Sequence, residues 1–381
     1  MEKAEVVIVG GGVVGLSIAY HLARLGGRGI VVLEREDVLG SGSTGRCAGG
    51  IRLQFGTEVN IRLSQWSLGF LKRMPDETGA DPGLHQNGYL FLTADPQNAE
   101  ALRRNLHVQQ GLGVPARSLS PDEVSARFPY VAAQGLLGAT FCPEDGYADP
   151  HAVVQGLSRS ARALGVSIRL GAEVTGIRVA DGRVEGVETG AGPLLAPVVV
   201  NAAGPFAARV GRMAGAEVPV QPVRRQIHAT APHPELPGDM PMVIDFDTSS
   251  YVRGDGAGLL MGASDPAEPP SFRTDPDDGA LVLLAETIMR RIPRLGDARV
   301  LRGWAGLYEV TPDENGVLGP VPEVAGFYLA NGFSGHGFQH APAVGRVLAE
   351  MILGQPPTID VSALGVTRFR EGRLIRESAV V

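Results

Sequence analysis

Gly10, Gly12 and Gly15 form a G-x-G-x-x-G run directly after Val6-Val7-Ile8-Val9, and Glu34 stands nineteen positions beyond the last glycine. These types at this spacing suit a dinucleotide. Gly10 permits a tight turn, Gly12 lets backbone approach a pyrophosphate, and Gly15 lets helix and strand pack closely. The helix read over Leu16–Leu25 offers unpaired N–H groups and about half a positive charge to the phosphates. Glu34 is placed to accept hydrogen bonds from ribose hydroxyls, and its charge disfavours a 2′-phosphate. Val14 and Arg35 adjoin these groups and are expected among the contacts.

Gly40 to Arg52 (GSGSTGRCAGGIR) is a second run of small residues, with hydroxyls at Ser41, Ser43 and Thr44. It reads as a further backbone-and-hydroxyl cradle. Arg52 closes it and has the planar fork of a carboxylate clamp. Far downstream, Asn331 to Gln339 (NGFSGHGFQ) places His336 between two glycines.

The elements that must position these groups repeat one unit, an apolar strand running through small residues into a helix. Val6–Val9 and Gly29–Leu33 are buried parallel strands by composition. Pro197–Val200 leads into Asn201-Ala202-Ala203-Gly204-Pro205. Gly326–Ala330 precedes the NGFSGHGFQ loop and a helix over Ala341–Leu353. An NAD site does not need this last helix N-terminus, whereas a large redox ring that gathers negative charge does. The cofactor expected is therefore FAD.

Segment 84–144 lacks such a glycine turn and is assigned to a substrate domain, to which 219–299 returns. Their strands are read at Gly88–Thr93, Gln226–Thr230, Met242–Asp245, Ser250–Arg253 and Gly258–Met261. Residues 1–83, 145–218 and 300–381 make up a discontinuous FAD-binding domain. The fold class expected is α/β, a Rossmann-like domain with a second α+β domain on a mixed or antiparallel sheet. On the strand near Pro219, Arg224 and Arg225 form a carboxylate-attracting patch or a solvated pair. Arg224, Gln226 and His228 share one face by period two, which would make that face polar and pocket-facing.

The totals bound the function. The 381 residues are 44% hydrophobic and 20% charged, with net charge −7 and no basic tract, which argues against nucleic acid. No apolar run approaches the ~18 residues of a membrane span. Cys47 and Cys142 are the only cysteines, far apart and without metal-ligand spacing, so no metal site is expected and a reducing compartment fits. The first strand begins at about residue 4 and leaves no room for a leader, so the cytoplasm is the expected location. Of 34 basic residues only Lys3 and Lys72 are lysines.

Four stretches in order, VIVGGGVVGLS, GSGSTGRCAGGIRLQF, WAGLYEVTPD and GFSGHGF, resemble the D-amino-acid oxidase superfamily of flavoproteins. The likeness is strongest to the sarcosine oxidase β-subunit type and the FAD-bearing β-subunit of heteromeric L-proline dehydrogenases. It implies an FAD domain of glutathione-reductase type roofed by a mixed sheet. The activity implied is oxidation of a secondary or primary amine, by hydride transfer to flavin and hydrolysis of the imine. Carried over, Ser43, Thr44, Ala48, Gly49, Gly50 and Ile51 line pyrophosphate and flavin. Val174 contacts adenine, and Ala202 and Gly204 the adenosine side. Gly306 and Leu307 run along the flavin edge, and Gly332, Phe333, Ser334, Gly335, His336, Gly337 and Gln339 belong to the loop at its pyrimidine end. Arg52 pairs with the substrate carboxylate, and Tyr251 supplies a pocket hydroxyl. His336 touches the ring through hydrogen bonding.

Three departures qualify that likeness. Gly306 stands where covalent relatives have a cysteine, so FAD is expected without a covalent link there. Gln339 stands where the oxidases have a lysine, which favours a dehydrogenase or a slow oxidase. Arg225 stands where the proline dehydrogenases have a pocket histidine, which leaves the substrate open. Sarcosine, proline or a similar N-substituted amino acid is the class expected. A 2-hydroxy-acid dehydrogenase and a non-catalytic flavin-bearing subunit or assembly factor are the alternatives. Partner subunits, homo-oligomers and the electron acceptor are left open. Tyr308 is a candidate for the pocket wall, Cys47 is read as structural, and Glu309 and Asp313 are assigned no chemistry.

Overall fold

The computed structural model describes residues 2–377. Strands Val6–Val9, Ile30–Leu33, Ser167–Arg169, Val198–Asn201 and Phe327–Asn331 form a parallel sheet, with Val317–Pro320 antiparallel at one edge. All four residues of Val6–Val9 are buried, because both faces of this sheet are covered. Val6 and Ile8 point to one side, where helices Val13–Arg24, Glu58–Thr78, Pro150–Ala163 and Gly337–Ile352 pack. Val7 and Val9 point to the other, against Ala207–Met213 and a small sheet built on the hairpin Val174–Ala180 and Arg183–Thr189. Three layers result, and the C-terminal strand ends meet at one rim.

Helix starts follow local chemistry. Asp95 and Asp149 each accept from two backbone N–H groups ahead of a proline, and Ser120 with Glu123 closes a reciprocal cap. Helix Glu58–Thr78 is capped from a distance: the Glu377 carboxylate accepts from Gly56 N–H at 2.7 Å and from Thr57 N–H and Oγ1 at 3.2 and 2.8 Å.

An eight-stranded mixed sheet roofs that rim. In Tyr89–Thr93, Leu90 and Leu92 pack into a core with helix Asp278–Ile288, while Tyr89 and Phe91 sit in a separate cluster with Met242 and Ile244. Its outer strand is Val300–Val310, hydrogen-bonded along Gln221–Thr230. By sequence this stretch heads the returning dinucleotide segment, whereas its ladder joins it to the roof.

Candidate active site

One long cleft runs between the rim and the roof. At one end, helix Val13–Arg24 starts directly after Gly12, whose side chain-free position caps nothing. Gly10 has φ +116°, and a Cβ there would lie 2.3 Å from Ala202 O. A Cβ on Gly15 would lie 2.0 Å from Gly10 O, so this glycine serves the close packing of helix on turn and lies outside the cleft wall. A Cβ on Gly12 would meet only Thr44 Oγ1, at 3.4 Å. Backbone there faces open space, as a pyrophosphate needs. Glu34 lines the cleft and accepts from Gly11 N–H at 2.7 Å. Val14, Val174, Ala202 and Gly204 line it too. Arg35 lies 4.0 Å over the Phe206 ring, which stacks at 4.7 Å on Phe272 from the roof.

The glycine-rich segment forms the middle of the wall. Ser43 Oγ donates to Leu307 O at 2.6 Å, Arg46 Nη1 donates to Ala305 O at 2.9 Å, and Trp304 Nε1 donates to Arg46 O at 3.0 Å. Ser43, Thr44, Ala48, Gly49, Gly50, Gly306 and Leu307 line the cleft. Ile51 is buried beside it in the helical core instead, its alternation along a two-residue strand turning it inward. At the far end Gly335, His336, Gly337 and Gln339 line the cleft, while Gly332, Phe333 and Ser334 shape the turn behind it. Phe333 fills the core, and Ser334 Oγ donates to Gly332 O at 3.2 Å.

Arg52 stands at this far end, 4% exposed. Its Nη1 donates to Gln54 O at 2.6 Å and its Nη2 lies 2.9 Å from His336 Nε2. The guanidinium is 3.9 Å over the Phe55 ring. Burial first, and then the Arg52 charge, hold His336 well below the usual histidine range, so it is neutral and accepts from Arg52. Gln339 Oε1 accepts from Arg52 N–H at 2.7 Å, which occupies its side chain in fixing the loop. Behind them Asp145, fully buried, accepts from Leu53 N–H at 2.7 Å and Gln54 Nε2 at 3.0 Å. Burial pushes its carboxyl up to about 7.

The roof adds Tyr89, Arg225, Ile227, Met242, Ile244, Tyr251 and Tyr308 to the wall. Burial raises the tyrosine hydroxyls, Tyr251 most, so they are donors at neutral pH. The polar face of the Gln221–Thr230 strand lies opposite to the expected one. Arg224 turns away to pair with Glu268 at 2.9 Å and Asp277 at 2.5 Å, and Gln226 accepts from Asp277 N–H at 2.8 Å. Arg225 and Ile227 face the cleft.

Glu309, read as a loop residue, lies on a strand and lines the cleft between Gly204 and Gly337. Its Oε2 is buried with no hydrogen-bond partner among the described residues, and burial pushes the carboxyl up to about 7. Tyr89 and Asp145 were also unmarked in sequence. Strand alternation in YLFLT points Tyr89 and Phe91 to one side, but nothing local says that the cleft is there.

Residues 5–351 match the family described as DAO, FAD dependent oxidoreductase. The chain belongs to this family. It is 33% identical to the FAD-dependent oxidoreductase domain-containing protein 1 of Bos taurus, with 100% of this chain and 87% of that protein aligned. It is 34% identical to the mitochondrial sarcosine dehydrogenase of Homo sapiens over 99% of its own length, but spans only 43% of that protein. A crystal structure of L-proline dehydrogenase from P. horikoshii superposes with TM-score 0.92 at 34% identity, covering 98% of this chain and 100% of that one. Glycine oxidase from Geobacillus kaustophilus gives TM-score 0.86 at 26% identity, covering 97% and 99%.

The chain is thus an FAD-dependent oxidoreductase, and the cleft fits the cofactor. The open backbone at Gly12 and the start of helix Val13–Arg24, where Val13 N–H donates to Thr44 Oγ1 at 3.2 Å, suit a pyrophosphate. The unpartnered Glu309 Oε2 suits a hydroxyl-bearing chain.

Proposed function

We propose that the protein oxidises a small carboxylated amine, an N-substituted or cyclic amino acid, and that it holds FAD without a covalent bond. The observation that carries this reading is Arg52: a buried guanidinium fixed by Gln54 O and neutral His336 at the ring end of the cleft. Relatives named for sarcosine, dimethylglycine and proline oxidation support the substrate class.

Bound FAD supplies a two-electron acceptor for a hydride leaving the carbon next to nitrogen. The nitrogen lone pair then forms the C=N bond, and water adds to release carbonyl product and amine. That lone pair must be free, so the amine has to react deprotonated. Arg52 and Arg225 both disfavour an ammonium group in the pocket. Tyr89, Tyr251 and Tyr308 keep their protons and orient the substrate by donating. Ile227, Met242 and Ile244 exclude water from the reacting carbon. Gln339 is tied to Arg52 N–H, Lys72 pairs with Glu144 at 3.7 Å, and Lys3 is exposed at the sheet edge. None of the three offers dioxygen an ammonium at the ring, which supports a dehydrogenase. Gly306 and a Cys47 thiol pushed up to about 11 by burial support a non-covalent site.

The test is anaerobic bleaching of the holoenzyme's flavin absorbance by sarcosine, proline, hydroxyproline and 2-hydroxyglutarate, followed by readmission of oxygen. Amines are expected to bleach it and oxygen to restore it slowly. Bleaching by the hydroxy acid alone would sink the amine reading. Silence with every compound favours a non-catalytic subunit, and rapid return with oxygen contradicts the dehydrogenase assignment.

A further inference from the structure

Two guanidinium groups line the cleft from separate segments. Arg52 comes from the glycine-rich segment, and Arg225 from the roof strand Gln221–Thr230. Their surroundings differ. Arg52 is held by Gln54 O, His336 and the Phe55 ring. Among the described residues Arg225 donates only to the neighbouring Arg224 O, at 3.0 Å, and lies 5.4 Å from the centre of the Tyr308 ring. Its Nε is buried without a hydrogen-bond partner. Among the described residues Arg225 forms no ion pair; Glu314, outside the cleft wall, is the acid whose carboxyl feels its field.

Arg224 shows what the same strand does with a structural arginine. One residue away and on the other face, it is met by Glu268, Asp277 and Asp275 O. Arg225 receives no such partners, although its Nε is withdrawn from water. An unpaired charge in a half-buried site is costly, and a ligand that brings the opposite charge removes the cost. Tyr308 feels the charge of both arginines, and Tyr251 and Ile227 line the same cleft. The cleft is therefore lined by two cationic groups together with apolar and hydroxyl surface.

Resting on the amine reading above, we infer that Arg225 is a second anion-binding group and that the substrate is a small amine with two acidic groups. An N-substituted amino diacid or an imino diacid is this class. One carboxylate sits on Arg52 and the other on Arg225, with the reacting C–N unit between them.

The experiment has two arms on the FAD-loaded enzyme. In the first, anaerobic flavin reduction compares sarcosine with N-methylaspartate, N-methylglutamate and iminodiacetate, in the native protein and in Arg225→Gln. The expected result is second-order reduction by a diacid about 100-fold faster than by sarcosine, as a charge-assisted bidentate contact provides, with most of that ratio lost in the variant. Equal or better reduction by sarcosine overturns the second site while leaving amine oxidation standing. Equal losses for monoacid and diacid in Arg225→Gln also overturn it, because Arg225 would then hold the only carboxylate. Reduction by no amine removes the reading beneath it as well.

The second arm needs no variant and no turnover. Succinate and glutarate are titrated against propionate and butyrate by their perturbation of the native protein's flavin spectrum. Diacids are expected to bind at least about tenfold more tightly, with the advantage shrinking as salt is raised. Equal affinities overturn the inference.

Discussion

Replacing Asp145 by Asn should make the protein more stable and a poorer enzyme at alkaline pH. The carboxyl is fully buried, and its ordinary value of 3.8 is raised to about 7, chiefly by burial; the hydrogen bonds from Gln54 and Leu53 and the Arg52 charge oppose the rise. A folded-state value above the unfolded one means that the native protein holds a proton that the unfolded chain has released. Stability therefore falls as pH rises from about 4 to about 7 and levels off above. A shift of roughly three units corresponds to about 4 kcal/mol when the group is fully ionised. Asn keeps an acceptor for Leu53 N–H but not one for Gln54 Nε2, which returns about 1 kcal/mol. The net gain at pH 8 is then about 2–3 kcal/mol, a rise in Tm of about 3 °C in a chain of this size. At pH 4 the sign should reverse. Gln54 also supplies the carbonyl that anchors Arg52. Loosening it should raise KM for the carboxylated substrate about tenfold with little change in kcat. Thermal unfolding of both proteins between pH 4 and 8, followed by steady-state kinetics at pH 8, decides the matter. A wild-type Tm that climbs relative to the variant across this range would refute the reasoning.

Gly10→Ala places a methyl 2.3 Å from Ala202 O at φ +116°, and purified protein should lack the visible flavin band or fail to fold, with a loss of about 3 kcal/mol read by chemical denaturation. Glu309→Gln should weaken FAD about tenfold at pH 8, measured by quenching of FAD fluorescence on the apoprotein, because a charged acceptor binds hydroxyls more strongly than a neutral one. Its effect should shrink below pH 6, where the Glu309 carboxyl is itself protonated. Cys47, half-buried in the cleft wall with its thiol pushed up to about 11, should alkylate slowly at pH 7.5 in the folded protein and faster once it is unfolded.

The dinucleotide half was legible because each unit is local. Val6–Val9 appears with the expected bounds, and the following helix starts three residues earlier than its apolar spacing suggests, since Gly12 already begins it. Val300–Val310 was harder to see. Gly303, Gly306 and mixed polarity hide its strand character, which comes from pairing with residues 70 to 89 positions earlier. Period two separates Arg224 from Arg225 in the sequence, yet the face that meets the cleft depends on where the strand lands on the roof. Arg52 and His336 stood out by their glycine surroundings. Asp145 and Glu309 owe their character to burial, which no neighbouring residue announces.

The wall joining Ser43 and Arg46 to Leu307 and Ala305 spans more than 250 residues of chain. A ribosome that has released the glycine motif has made the nucleotide's floor but none of its far side. FAD should therefore be captured late, after the roof and the last strand–helix unit have emerged, and its capture should add stability to the chain. Yellow colour in a preparation then reports the completed molecule, and fragments that end before Leu307 should be colourless even when their first sheet strands are intact.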